Sequence, residues 1–318
     1  IRKYDTWHAM GQGATTGSLV VTLEALKEMH LTPEDIQLIQ NDTKTCPDTG
    51  MAGASRSLYM DGNATIIAAN KLLAAMRKED GTLRTYDEMK AEGIETKYLG
   101  RYETNTTPGL CRLDPNTGIG DPTPAFTYCL NLAEVEVDTK TGKTTVLKFT
   151  CVDFVGRIGN IDAVNGQAYS GIMHGIGFAL KEDYADVKKH ANMFGAGTSY
   201  IKDVPDDINL IHIDGAISDG PFGSSGASEA FQASGHCAVL NGIYNACGVR
   251  IHEIPALPEK VKAGLDAIAK GEKPYEPKKY FLGSDMYEEL ENIKENPVQV
   301  GTQSFYVSLD DPTAERPF

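Results

Sequence analysis

Leu132-Ala133-Glu134-Val135-Glu136-Val137, then Asp138-Thr139-Lys140-Thr141-Gly142-Lys143, then Thr144 to Phe149, is the stretch that decides the fold. Apolar and polar residues alternate on both sides of a glycine-bearing turn, and a period of two puts one set of side chains on a buried face. The stretch is a β-hairpin. Thr141-Gly142-Lys143-Thr144 resembles the end of a phosphate-binding loop, but the glycine needed five residues before Gly142 is Val137. The segment is a hairpin turn, and a P-loop NTPase is rejected.

On the C-terminal side, Asp162 to Leu180 reads as a helix rich in small residues (Gly166, Ala168, Gly171, Gly175, Gly177), which either packs tightly on another helix or lets a ligand approach. Leu210 to Asp214 is a strand, Glu229 to Cys247 a helix, Arg250 to Ile254 a strand and Glu259 to Ala269 an amphipathic helix. On the N-terminal side, a short strand at Ile1 to Tyr4 leads through Gly11-Gln12-Gly13-Ala14 to a helix over Ser18 to Met29. A strand follows at Ile36 to Gln40, then a small-residue loop, and a long helix from Ser55 to Met76 that is interrupted near Gly62. Tyr86 to Glu92 is a further short helix and Lys97 to Glu103 a further strand. The proline- and glycine-bearing connection from Asn105 to Pro124 is the best internal boundary. Sheet and helix alternate as in an α+β protein made of two α/β subdomains with mixed sheets and packed helices, 1–122 and 123–270. The Lys-, Glu-, Pro- and Tyr-rich remainder, 271–318, is expected to wrap the surface as a C-terminal extension.

The 318 residues carry a net charge of −14, which argues against a nucleic-acid partner, because affinity for phosphate backbones rests on clustered Lys and Arg. No run is long and apolar enough to span a bilayer, and a soluble, cytoplasmic protein is expected. The start at Ile1, without Met, suggests a piece of something longer. The six cysteines include no Cys-x-x-Cys pair, which removes the usual zinc and iron–sulfur spacings. Disulfides, with the sequons at Asn41, Asn63 and Asn105, would suit secretion. Cys129, Cys151, Cys237 and Cys247 lie in apolar segments, however, where a reduced, buried thiol is the expected role.

Three loops place small residues before a helix: Gly11-Gln12-Gly13-Ala14; Ala52-Gly53-Ala54-Ser55-Arg56-Ser57; and Gly223 to Glu229, which includes Gly226-Ala227-Ser228. A helix start offers unpaired N–H groups and a positive dipole end, so it binds anions without lysine. Three in one chain point to an extended anionic cofactor. Glu229 either complements its helix dipole or serves as a proton acceptor reached by a large ligand, and the residues alone leave both open. A serine hydrolase built on Ser225 or Ser228 with His236 fails, because the residue two after Ser225 is Ala227 and no acid is placed to orient His236.

Five motifs then occur in one order: Thr6 to Gly13; Gly53-Ala54-Ser55-Arg56-Ser57 with Met60 to Ala64; Ala133 to Thr139; Gly166-Gln167 with Gly175-Ile176-Gly177; and Gly226-Ala227-Ser228-Glu229. Residue 1 to about Ile268 resembles the molybdenum-binding part of the xanthine dehydrogenase and aldehyde oxidase family, closest to bacterial aldehyde oxidoreductases. The resemblance implies a molybdopterin-binding fold of that type and a molybdenum cofactor, in bacteria usually molybdopterin cytosine dinucleotide with oxo, sulfido and hydroxo ligands. The pterin holds the metal, so the protein supplies no metal ligand. Gly11, Gln12, Gly13 and Ala14, with Ala54, Ser55, Arg56 and Ser57, would contact the pterin or its phosphates, Gly226, Ala227 and Ser228 would line the cofactor, and Gln167 would approach the metal. Glu229 would be the general base toward the metal-bound hydroxide, for oxidation of an aldehyde or hydroxylation of an N-heterocycle.

The same resemblance implies partners: an upstream molybdopterin-binding half, and 2Fe–2S clusters with possible FAD on other domains or chains of a larger oligomer. The cluster cysteines and the upstream half are absent here, so this chain is not expected to turn over alone. A non-catalytic partner or cofactor-delivery module of the same fold is the alternative, and joint retention of Gln12, Gln167 and Glu229 argues against it.

Overall fold

The computed structural model describes residues 1–40, 42–104, 114, 116–120, 123, 125–217 and 219–272. The body of the chain is Ile1–Pro274. The expected surface extension falls outside the described residues from 273 onward, as do Cys111 and the sequon asparagines Asn41 and Asn105.

The hairpin is present and longer than its alternation predicts. Strand β3 (Tyr128–Val137) pairs antiparallel with β4 (Thr144–Phe154), and β4 pairs in parallel with a strand numbered β5 (Asp207–His212), giving the order β3-β4-β5. Odd residues of β3 point inward with Phe149, Cys151 and Asp153 of β4, because Cys129 opposes Asp153 and Ala133 opposes Phe149. Over this face lie α4 (Ile161–Leu180), α6 (Ser228–Ala233) and α7 (Gly235–Cys247), and Phe149, Ile172, Ile176, Phe231 and Val239 form the principal core. Burying each large side chain of this set contributes about 1.5–3 kcal/mol. A second cluster joins Ile243 of α7 to Val261 of α8 (Pro258–Ala269).

The N-terminal half is built on a two-stranded parallel sheet, β1 (Arg2–Asp5) with β2 (Gln37–Gln40), and on two helices, α1 (Ala14–Ala25) and α2 (Ser57–Met76). Two short helices complete the described α-helices, α3 (Tyr86–Ala91) and α5 (Met193–Ala196). Thr85 caps α3 in a reciprocal box with Glu88.

Several expectations are corrected. The first helix begins at Ala14, four residues early, and tightens into a 3₁₀ turn at Lys27–Met29. The last strand spans Asp207–His212, earlier than the stretch ending at Asp214. Helix α2 runs unbroken through Gly62, whose missing side chain instead admits Pro221: a Cβ there would lie 2.7 Å from Pro221 Cγ. Lys97 to Glu103 is not a strand. It lies along α2, with Lys71 Nζ donating to the Leu99 carbonyl at 2.8 Å, so helix packing replaces sheet pairing. Arg250 to Ile254 is irregular as well: the Arg250 guanidinium stacks 3.7 Å from the Tyr244 ring centre and donates to Asn241 Oδ1 at 2.8 Å, and Pro255 follows without an N–H for a ladder.

Glu229 to Cys247 is two helices, broken at Ser234, whose Oγ accepts from Asn131 Nδ2 of β3 at 2.8 Å. Of the four thiols expected to be buried, Cys151 is, Cys129 and Cys247 are half-buried, and Cys237 is exposed on the outer side of α7. None of the five described cysteines is in a disulfide, and the Cys129 and Cys151 sulfurs share a hydrogen bond at 3.4 Å. Asn63 sits in α2 with Nδ2 donating to the Tyr59 and Asp219 carbonyls at 2.9 and 3.0 Å, a structural role that its sequon does not suggest.

Candidate functional site

The three small-residue loops, scattered over more than two hundred positions of sequence, are neighbours in space. Trp7, Ala14 and Val21 pack with Leu58, which sets the start of α1 beside the start of α2. Neither helix start has a side-chain cap or an acidic residue in its first turn, so the first N–H groups of both remain available to an anion. Gly13 caps α1 with φ 90, a left-handed conformation that glycine adopts without cost. The amide of Gln12 ties its own loop: Nε2 donates to the His8 carbonyl at 2.5 Å and Oε1 accepts from Met10 N at 2.6 Å.

The second loop meets the third. Ala54 and Ser55 both adopt left-handed backbone (φ 52 and 49), at a cost of about 1–2 kcal/mol each for residues with a Cβ. The turn presents Ser55 to Gly226 and Glu229. Ser55 Oγ donates to Glu229 Oε2 at 3.2 Å, and Glu229 N lies 3.2 Å from the same Oγ. Gly226 is pressed so closely on the Ser55 backbone that an added Cβ would sit 1.7 Å from the Ser55 carbonyl oxygen. Glu229 itself is exposed, in the first turn of α6, and its approach is open rather than desolvated. Arg56 caps α2 through its backbone and is exposed, and Ser57 opens the helix.

Helix α4 connects the first and third loops through one stripe. Ala163 Cβ lies 3.8 Å from the Cβ position of Gly13; one turn on comes Gln167; then Gly171 against Phe231 of α6, and Gly175 against Gly235 of α7. Residues four apart share a face, so Gln167 stands between the Gly13 loop and the helix that carries Glu229. Asn160 Oδ1 caps α4 by accepting from Ala163 N at 3.0 Å. The third loop is stitched to the end of β4 by Arg157 N donating to the Gly223 carbonyl at 2.8 Å and Ser225 N to the Val155 carbonyl at 3.2 Å. Ala227 precedes α6 without a side-chain cap bond, and Ser228 begins it. His236 sits beyond the break at Ser234, on a different helix from Ser228.

Two polar networks beneath the site had no counterpart in the sequence reading. Asp5 accepts from Ser18 Oγ at 2.6 Å and Gln40 Nε2 at 2.7 Å, and pairs with Lys3 at 3.0 Å. Burial alone would raise its carboxyl, but Lys3 and these hydrogen bonds outweigh it and hold Asp5 below its ordinary value. The signal was there: Lys3 and Asp5, two apart on a strand, share one face. The second network is His212, with Nδ1 2.7 Å from Asp153 Oδ2 and Nε2 2.7 Å from Asn165 Oδ1, which ties β4, β5 and α4 together. Burial raises the Asp153 carboxyl, with His212 opposing. Polar residues at inward-facing strand positions mark such a network.

Asp61, on α2 behind the second loop, is pushed up to about 6 by burial and by Asp5, against Lys3, His8 and Arg56. The folded protein therefore holds a proton that the unfolded chain releases near pH 4, and stability is lost as pH rises through about 6. Asp61→Asn removes that loss. After allowance for solvent screening it is expected to be about 1–2 kcal/mol more stable than the parent at pH 8, with no difference below about pH 4, as read by denaturant melts across pH.

A family model described as a molybdopterin cofactor-binding domain matches residues 4–205. The chain is 42% identical over 267 residues to the aldehyde oxidoreductase of Megalodesulfovibrio gigas, covering 84% of this chain and 29% of that protein. It is 28% identical to a probable hypoxanthine oxidase of Escherichia coli strain K12, covering 82% and 29%. The solved aldehyde oxidoreductase of Desulfovibrio desulfuricans superposes with a TM-score of 0.79 at 45% identity, covering 82% of this chain and 28% of that one. The chain thus spans under a third of the length of these relatives, and its open sheets, one parallel and one mixed, with their packed helices match the fold of the solved aldehyde oxidoreductase.

Proposed function

This chain belongs to the molybdopterin cofactor-binding domain family of molybdenum-dependent oxidoreductases, and on that premise we propose that it is the catalytic, pterin-holding part of an enzyme oxidising an aldehyde to a carboxylic acid. The observation that carries the reading is the Ser55–Glu229 contact, which sets a carboxylate beside two uncapped helix starts. The residues fit such a cofactor: the donors at both helix starts are uncapped backbone N–H groups suited to a pyrophosphate, and at Gly226 a cradle that a Cβ would fill is left to glycine.

The α1 start with Gly11, Gln12, Gly13 and Ala14, and the α2 start with Ala54, Ser55, Arg56 and Ser57, would hold the pterin and its phosphates, while Gly226, Ala227 and Ser228 close the cradle. When bound, the cofactor supplies the metal and the two-electron oxidation, with water as the source of oxygen. Glu229 would accept a proton from the water, at the carboxylate that Ser55 orients. Gln167, on the face of α4 that runs from the Gly13 loop to α6, would donate a hydrogen bond to the cofactor. A cytosine dinucleotide on the pterin, and electron exit through iron–sulfur clusters elsewhere in the enzyme, complete the reading; hydroxylation of an N-heterocycle uses the same groups. The test is analysis of the full-length enzyme. Molybdenum, iron and a releasable pterin nucleotide are expected in active preparations, and aldehyde oxidation by preparations lacking molybdenum would refute it.

A further inference from the structure

The outer face of the β3-β4-β5 sheet is apolar where an unaccompanied sheet would be polar. Even residues of β3 (Tyr128, Leu130 and Leu132) point away from the core; Leu130 opposes Val152 of β4, Val152 in turn opposes Ile211 of β5, and Ile213 follows just past that strand. All of these except the half-buried Val152 are between 44% and 65% exposed. A contiguous apolar surface of this kind marks an interaction site, whereas single exposed apolar residues mark nothing. The face is graded along the strands. At the hairpin end it turns charged, with Glu134 opposite Lys148 and Lys148 paired to Asp207 at 3.2 Å. Its apolar end leads to Val155 and Arg157, which carry the third loop and so Glu229.

We propose that this apolar end is the docking surface for polypeptide of the same enzyme that lies outside this chain, packed on the sheet through an apolar face. The inference rests on the reading above that the working enzyme is larger than this chain. Two observations select that occupant over a second copy. Most of the relatives' length, about seven-tenths, is not represented here and must pack somewhere. Glu229 is also left exposed by the described residues, and the apolar end of the sheet is continuous with the loop that carries it, so polypeptide seated there would also wall the site.

Footprinting and cross-linking on the full-length, molybdenum-replete enzyme decide the matter. Hydroxyl-radical labelling, which needs no substitution, should be lost at Tyr128, Leu130 and Leu132 relative to the unfolded enzyme. A photo-reactive benzoylphenylalanine in place of Leu132 should cross-link to peptides outside this chain. Leu130 is the second position for the probe, with molybdenum content equal to the parent's reporting a folded variant. Labelling that persists at the unfolded level, or cross-links confined to the same face of a second copy or to residues 273–318, would overturn the proposal. Because the enzyme assayed is active and metal-loaded, such a result would leave the cofactor reading standing.

Discussion

Glu229→Gln leaves the molybdenum and pterin content of the full enzyme unchanged and lowers kcat by about 10²–10⁴-fold, the range that general-base catalysis contributes. The amide keeps the size of the side chain and an oxygen that still accepts from Ser55 Oγ, so the contact between the second and third loops survives. What is removed is the capacity to hold a proton. KM changes little, because no uniform substrate binding is lost. Steady-state kinetics with metal analysis on the same preparation separates the outcomes: near-normal turnover refutes the proton-acceptor role, and loss of molybdenum makes Glu229 a structural residue.

Gly226→Ala is expected to have the largest effect on assembly. Its Cβ would meet the Ser55 carbonyl oxygen at 1.7 Å, a backbone atom that no side-chain rotation can move. The two loops must separate, the Ser55–Glu229 geometry opens, and the uncapped start of α2 shifts away from the third loop. Overpacking of this kind costs about 1–3 kcal/mol, and more where backbone opposes backbone, so a fall in Tm of roughly 5–10 °C and a large loss of bound molybdenum are expected. Gly166→Ala is the control. Nothing lies within 4 Å of its Cβ position in the middle of α4, and it is expected to be neutral or to add up to about 1 kcal/mol. Calorimetry with metal analysis reads both; an unaffected Gly226→Ala would show that the loops do not need their close contact.

The elements that sequence made legible are those whose chemistry is local. The hairpin shows because alternation is read over adjacent residues, and α4 shows because its small residues recur at helical spacing. The loops before α1, α2 and α6 show because small residues before a helix are a local signature. Lys97 to Glu103 misled because alternation near a helix and alternation in a ladder look alike until a partner is known, and this segment's partner is α2. The break at Ser234 is tertiary in origin, set by Asn131 and by the approach of Gly175 to Gly235. In the candidate site, Glu229 could be singled out from its loop, but Ser55 as its partner could not, since nothing local relates them. The raised carboxyl of Asp61 is likewise created by burial and by Asp5 of another element.

That partnership also bears on how the enzyme is made. Ser55 and Glu229 are 174 positions apart, and α1, α2 and α6 begin at 14, 57 and 228. A ribosome that has delivered the first two helix starts has still to release most of the chain before the third loop can close on them. The nascent protein therefore has no assembled seat for a pterin until that third loop has emerged. Loading belongs after that point, on a folded apoprotein.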